Sequence, residues 1–199
     1  MSQAPAMKPE DKREKLLQAA ERCFIESGFH GARMAQIAKQ AQMSPGHIYH
    51  YFESKEQIIA EMVRAHADEK LCALEKFKDA GDRIVDMMLE NIEESVDSNT
   101  EPFWSALMLE MTAEATRNSE IASTLRTVDA DMKARVINYL GAGVNQENIG
   151  ARLEVLVALL QGIGIRNILN PDLDKAEVLR LVRGIVETLF REPVPSPQP

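Results

Sequence analysis

Apolar positions recur along this chain at helical spacing, and almost nowhere at strand spacing. Over residues 10–27, Leu16, Leu17, Ala20, Cys23 and Phe24 share one helix face, and Gly28 closes the run. A short second segment, 34–41, places Met34, Ile37, Ala38 and Ala41 together. Ser44 then offers a cap and Pro45 suits a first turn, so residues 45–51 read as a helix of about two turns. Ser54-Lys55-Glu56-Gln57 has the order of a capping box before Ile58, Ile59, Met62 and Val63, which predicts a long helix toward residue 80.

The later chain continues in the same style. Gly81-Asp82 breaks it before a helix carrying Ile84, Val85, Met88, Leu89 and Ile92, and Ser98–Pro102 breaks it again. Helices follow over 103–116 and from 119 to Leu140, then the loop 141–145, then two final helices near 146–170 and 174–191. The tail PVPSPQP is proline-rich and is expected to be disordered. The pattern predicts an all-α fold of about nine helices. The chain is expected to divide into a head over 1–55, a body over 56–191 and a tail over 192–199.

Both final helices are apolar over more than one stripe. Leu153, Leu156, Val157 and Leu160 form one on the first, while Val155, Leu159 and Ile163 form another. On the second, Val178, Val182, Ile185 and Leu189 share a face. Such width implies burial on two sides, either in a central core or against a second subunit.

Composition narrows the class. The 199 residues suit one domain or two small ones. Cys23 and Cys72 stand far apart with no CxxC pair, which argues against a zinc module or disulfide framework and fits a reducing cytoplasm. No apolar run reaches the roughly 20 residues needed to span a bilayer, and no secretory h-region is visible. A cytoplasmic protein is expected. The net charge of −8 is unevenly spread: residues 1–55 carry about +2 and the rest about −10. A mildly basic head on an acidic body suggests that the two parts meet different partners.

The candidate chemistry is concentrated between residues 28 and 55. A helix, a tight turn at 42–44 and a short second helix, leaning on the first long helix, make the layout of a helix-turn-helix. Gly46 and His47 leave room for base edges, His47 and His50 can donate to guanine N7 or phosphate, and Tyr49 and Tyr51 suit phosphate oxygens. Lys55 lies at a capped helix start that also favours an anion.

The run Gly28-Phe29-His30-Gly31-Ala32-Arg33-Met34-Ala35-Gln36-Ile37-Ala38, followed by Ser44-Pro45-Gly46-His47-Ile48-Tyr49-His50-Tyr51-Phe52-Glu53-Ser54-Lys55, resembles the TetR family of bacterial transcriptional regulators. Two positions depart from that family. Arg33 stands where Thr or Ser usually caps the second helix, and Ala41-Gln42 stands where Ala-Gly usually turns, so a left-handed residue must be accommodated without glycine. The resemblance implies a homodimer paired through its last two helices, here Leu153, Leu156, Leu160, Val178, Val182, Ile185 and Leu189. It also implies a repressor released from a palindromic operator by a small molecule. Expected DNA contacts are Arg33, Ser44, Pro45, Gly46, His47, Tyr49, His50, Tyr51 and Lys55.

The ligand is read from the residues alone. Met62, Met88, Phe103, Trp104, Leu107, Met108 and Met111 offer an adaptable apolar wall, although such residues ordinarily make core. Glu110 and Glu114, one turn apart, belong either to a solvated edge or to an acidic pocket. The second option leans toward a lipophilic cation, with Arg117 a partner for an acid otherwise. No nucleophile–base pair or Glu-x-x-His is legible, so neither an enzyme, a cofactor nor a metal is expected. The rival functions are a helical partner-binding protein and a redox- or metal-responsive regulator without an organic inducer. Both cysteines are expected to be inert buried thiols.

Overall fold

A computed structural model describes residues 9–144 and 146–191. The expected disordered tail, 192–199, lies outside the described residues. Those residues form nine α-helices and no strand: α1 (Pro9–Gly31), α2 (Met34–Gln40), α3 (Lys55–Leu74), α4 (Ile84–Glu90), α5 (Ile92–Asn99), α6 (Pro102–Ala115), α7 (Ser119–Leu140), α8 (Ile149–Leu169) and α9 (Lys175–Phe190). No described helix is long and apolar enough to cross a membrane.

Two differences from the expected elements have local causes. The second helix of the turn motif is a bend at Pro45–His47 followed by a 3₁₀ turn, Ile48–His50. Its amides bond three residues back, His47 N to Ser44 O at 2.9 Å and Tyr51 N to Ile48 O at 2.9 Å. The helix expected over 84–97 is split in two at Asn91, whose backbone leaves helical values at φ −105°. There the Asn91 amide side chain donates to Met87 O at 2.8 Å, competing with the helical ladder.

The chain forms two compact units, and their boundary falls inside α3. The first takes in the described chain up to His66 together with Glu110–Leu125. The second takes in Ala67–Leu109 and the described chain from Arg126 onward. The first is built on Leu16, Ala20, Phe24, Ile37, Ile48, Phe52, Ile58 and Met111, which are all buried. The second has its own apolar core, which includes Ile84, Ile92, Val96, Leu153, Val182, Val186 and Phe190.

Candidate functional site

The turn motif of the first unit is held by contacts that begin in α1. Gly28 breaks α1 at φ +67°, a conformation that favours glycine, and turns the chain toward α2. Arg33 stands at the N-cap of α2 with an extended backbone and no capping hydrogen bond, as its lack of a short hydroxyl dictates. At the other end Gln42 adopts φ +59°. Met43 N donates to Ala38 O at 2.8 Å and Gln42 N to Lys39 O at 3.0 Å, the paired bonds of a Schellman cap. The turn is therefore made in the family's usual shape by a residue that pays a steric cost to do so.

Within the expected DNA-binding set, Arg33, Ser44, Pro45, Gly46, Tyr49 and His50 are exposed. Tyr49 is 56% exposed, and a Cβ added at Gly46 would meet nothing within 4 Å. His47 is half-buried and stacked on Tyr51, with ring centroids 5.6 Å apart and planes 24° apart. Its ring also meets His50 edge-on at 5.6 Å. Three neighbouring rings thus fix one another's orientation.

Lys55 has a different partner from the one expected. Its Nζ donates to Phe29 O at 2.7 Å and lies 4.7 Å from the Phe29 ring centroid. It ties the α1 turn to the start of α3. The expected capping box is half-formed in the same place: Gln57 N donates to Ser54 Oγ at 3.2 Å, while the Gln57 side chain accepts from Glu53 N instead of Ser54 N.

Further ties gather around the same turn; Arg13 and Glu61 gave no signal in the sequence, while Glu110, Glu114 and Arg117 were singled out there for a ligand. Arg13 Nη1 donates to Tyr51 O at 3.1 Å, its guanidinium lies 4.5 Å from the Phe52 ring centroid, and its Nε donates to Glu61 at 2.6 Å. The bond to Glu61 holds the Arg13 pKa above its ordinary value. Glu110 accepts from Phe29 N at 2.8 Å. Glu114, only 9% exposed, lies 2.5 Å from Arg117 and 3.1 Å from His30. Glu110 is exposed, as a solvated edge would be, while Glu114 is nearly buried. Both hold the end of α1 within the first unit, Glu110 through Phe29 N and Glu114 through Arg117 and His30.

The expected ligand wall is divided between the units. Met62 and Met111 are buried in the first, with Glu110 and Glu114. Met88, Phe103, Trp104, Leu107 and Met108 belong to the second. There Phe103 and Trp104 meet edge-on, with centroids 5.3 Å apart. The second unit also has an open polar cleft of about 420 Å³ bordered by Asp82, Asp86, Gly143, Phe190 and Arg191, none of them among the expected ligand residues.

The expected pairing stripe needs correction. Leu153, Leu156 and Val182 lie in the chain's own core, Val182 at 2% exposure, so they have no area left to give a partner. Leu160, Val178 and Leu189 are half-buried against that core, and Ile185 is exposed. The outward face of α8 and α9 instead carries Val155, Leu181 and Ile185, the first two more than half exposed. A Cβ added at Gly162 or Gly184 would meet nothing within 4 Å.

One of the two thiols differs from expectation. Cys23 is buried, and burial pushes its pKa up, but Cys72 is exposed.

Known proteins agree with this arrangement. The profile of bacterial regulatory proteins of the tetR family matches residues 16–62, and that of the C-terminal domain of BetI-type transcriptional repressors matches 80–191. The chain belongs to the TetR family. The chain is similar to the HTH-type transcriptional regulator UidR of Escherichia coli, 38% identical over 117 residues that make up 57% of each chain. The repressor AcnR of Corynebacterium glutamicum is 36% identical over 67 residues, 34% of this chain and 36% of AcnR. The chain thus aligns with little more than half the length of UidR and about a third of AcnR. Among solved TetR-family folds, a regulator from Mesorhizobium loti matches with a TM-score of 0.76 at 19% identity, over 92% of this chain and 97% of that one. Salmonella enterica GusR matches with a TM-score of 0.73 at 23% identity, over 95% and 100%.

Proposed function

We propose that the chain is a ligand-responsive repressor that binds a two-fold operator as a homodimer. One observation carries the DNA-binding half. The turn motif presents Arg33, Ser44, Gly46, Tyr49 and His50 on the surface of the first unit, while Lys55, Arg13 and Glu61 brace it from behind. In a helix-turn-helix of this kind, Arg33, Ser44 and Tyr49 contact phosphate, and the segment 45–50 reads bases. Names of relatives, AcnR and the BetI-type domain among them, support repression. The partner is a second copy of the chain, received on the outward face of α8 and α9. The effector is a small, largely apolar molecule taken up by the second unit, whose α6 carries Phe103, Trp104, Leu107 and Met108.

The test is selection of an operator from random duplexes, followed by binding of variants. Tyr49→Ala is expected to weaken all sequences alike, because phosphate contacts position without specifying. His47→Ala is expected to relax preference at one base pair per half-site, worth about 1–3 kcal/mol. If selection returned no enriched duplex, or an asymmetric site bound by one copy, the proposal would be overturned.

A further inference from the structure

The second unit contains an ammonium with no counter-ion. Lys70 is half-buried on α3, and its Nζ donates to Asn99 Oδ1 at 3.0 Å. No carboxylate pairs with it among the described residues. The carboxylates flanking Asn99 in sequence are engaged elsewhere: Asp97 lies 3.4 Å from Lys175, and Glu101 accepts from Phe103 N and Trp104 N at the start of α6. Burial alone lowers the Lys70 pKa, with no neighbouring charge to offset it. A desolvated charge with a single neutral partner is costly, so its presence calls for a function.

The partner of that ammonium is rigidly placed. Asn99 Nδ2 donates to Ser95 O at 2.8 Å, which turns Oδ1 toward Lys70, and Ser105 Oγ donates to Asn99 O at 3.2 Å. Asn167 Nδ2 donates to the carbonyl of the buried Thr100 at 3.0 Å. Gly164 lets α8 approach so closely that a Cβ there would stand 2.5 Å from Asn99 O. Four helices of the second unit, α3, α5, α6 and α8, thereby converge on one polar node. Ser105 joins that node from the turn of α6 that also carries Trp104.

We propose that Lys70, steadied by Asn99, is the recognition point for the carboxylate of the effector, which is therefore an organic acid with an apolar or aromatic body. Resting on the effector role of the second unit, this assigns a charge opposite to the cation that Glu110 and Glu114 suggested. Those two carboxylates are occupied in the first unit. A carboxylate supplies the counter-ion that Lys70 lacks, and its two oxygens suit the ammonium donors left free beside Asn99.

The probes are 3-phenylpropionate, 4-phenylbutyrate and 1-naphthylacetate, each compared with its alcohol and its primary ammonium analogue. Binding is measured by calorimetry and Trp104 fluorescence, and release by displacement of the selected operator. Carboxylates are expected to bind about tenfold tighter than their alcohols or more, the order of one charge-assisted hydrogen bond. Lys70→Met is expected to erase that preference while leaving the alcohols unchanged, and Lys70→Arg to retain it. Thermal unfolding confirms that both variants fold. If alcohols or ammonium analogues bind and release operator as well as the acids do, or Lys70→Met keeps the preference, the carboxylate assignment falls and the effector role stands. If no probe of any charge binds, both fall.

Discussion

Gln42 shows how far a single position can depart from the locally best residue while the turn keeps its shape. A left-handed conformation costs an L-residue about 1–2 kcal/mol, and glycine avoids that cost while losing more entropy on folding. Gln42→Gly is therefore expected to stabilise the chain by about 0.5–1 kcal/mol, raising the unfolding temperature by about 1–4 °C in a thermal melt. Gly28→Ala is expected to do the reverse. There φ is +67°, and an added Cβ would crowd the Glu110 carboxylate at 3.1 Å, the group that accepts from Phe29 N. Operator affinity is expected to fall along with stability, since Arg33 follows this turn directly. Lys70 makes a different kind of departure, and its sign can be worked through. Its pKa is lowered in the folded state, so between that lowered value and the ordinary one near 10.5 the unfolded chain holds more protons. Stability gained from this residue thus rises with pH through that window. The advantage of Lys70→Met in urea melts is expected to be fully present near neutrality and to fade as pH approaches 10.5; an advantage constant with pH would show that the ammonium is not desolvated.

At the scale of elements, the α8–α9 pair separates two substitutions that look equivalent in sequence. Val182 and Leu181 are adjacent apolar residues, one in the core and the other 54% exposed. Leu181→Glu is expected to leave a folded chain that sediments as a monomer, whereas Val182→Glu is expected to unfold the second unit by burying an unpaired charge. A folded Val182→Glu monomer would reverse the assignment of faces. The pair also marks where sequence pattern stops being informative. Helix starts and stops were legible because their determinants are local: Gly28, Asp174, whose side chain accepts from Glu177 N, and Asn118, whose side chain caps α7. Which of two apolar stripes on α8 turns inward is not local. Leu153 and Val155 differ only in what other helices bring to them. The 3₁₀ form of 48–50 was missed because backbone bonds three residues back compete with helical ones at small energy differences, and the break at Asn91 because its side chain competes for Met87 O. The ties around the turn motif lay beyond any pattern: Arg13 reaches 48 residues to Glu61, and Phe29 reaches 81 residues to Glu110.

For the whole molecule, charge decides how binding to DNA responds to salt. The chain carries −8, with the excess of acid after residue 55, so non-specific attraction to DNA is opposed and the local cations of the first unit must carry the encounter. Those cations are fewer than composition suggests. Arg13 is committed to Glu61 and Tyr51 O, and Lys55 to Phe29 O; of the exposed Lys and Arg residues of the first unit, Arg33 and Lys39 are the ones at the two ends of α2, beside the turn motif. Each phosphate neutralised on duplex DNA contributes about −0.9 to the slope of log affinity against log salt. These two cations flanking α2, doubled by a two-fold dimer, give a slope near −4. If Arg13 and Lys55 also met phosphate, the slope would approach −7. Titration of the selected operator between 50 and 300 mM salt, chosen to span the range where the Debye length is about 5–14 Å, separates the two values. A slope near −4 is expected to drop to about −2 in Arg33→Ala and to stay unchanged in Lys55→Met. Lys55→Met should instead lower stability through loss of the Phe29 tie. A slope that fell with Lys55→Met would show its ammonium leaving Phe29 for the DNA, and the turn motif would then be reshaped by its operator rather than held ready for it.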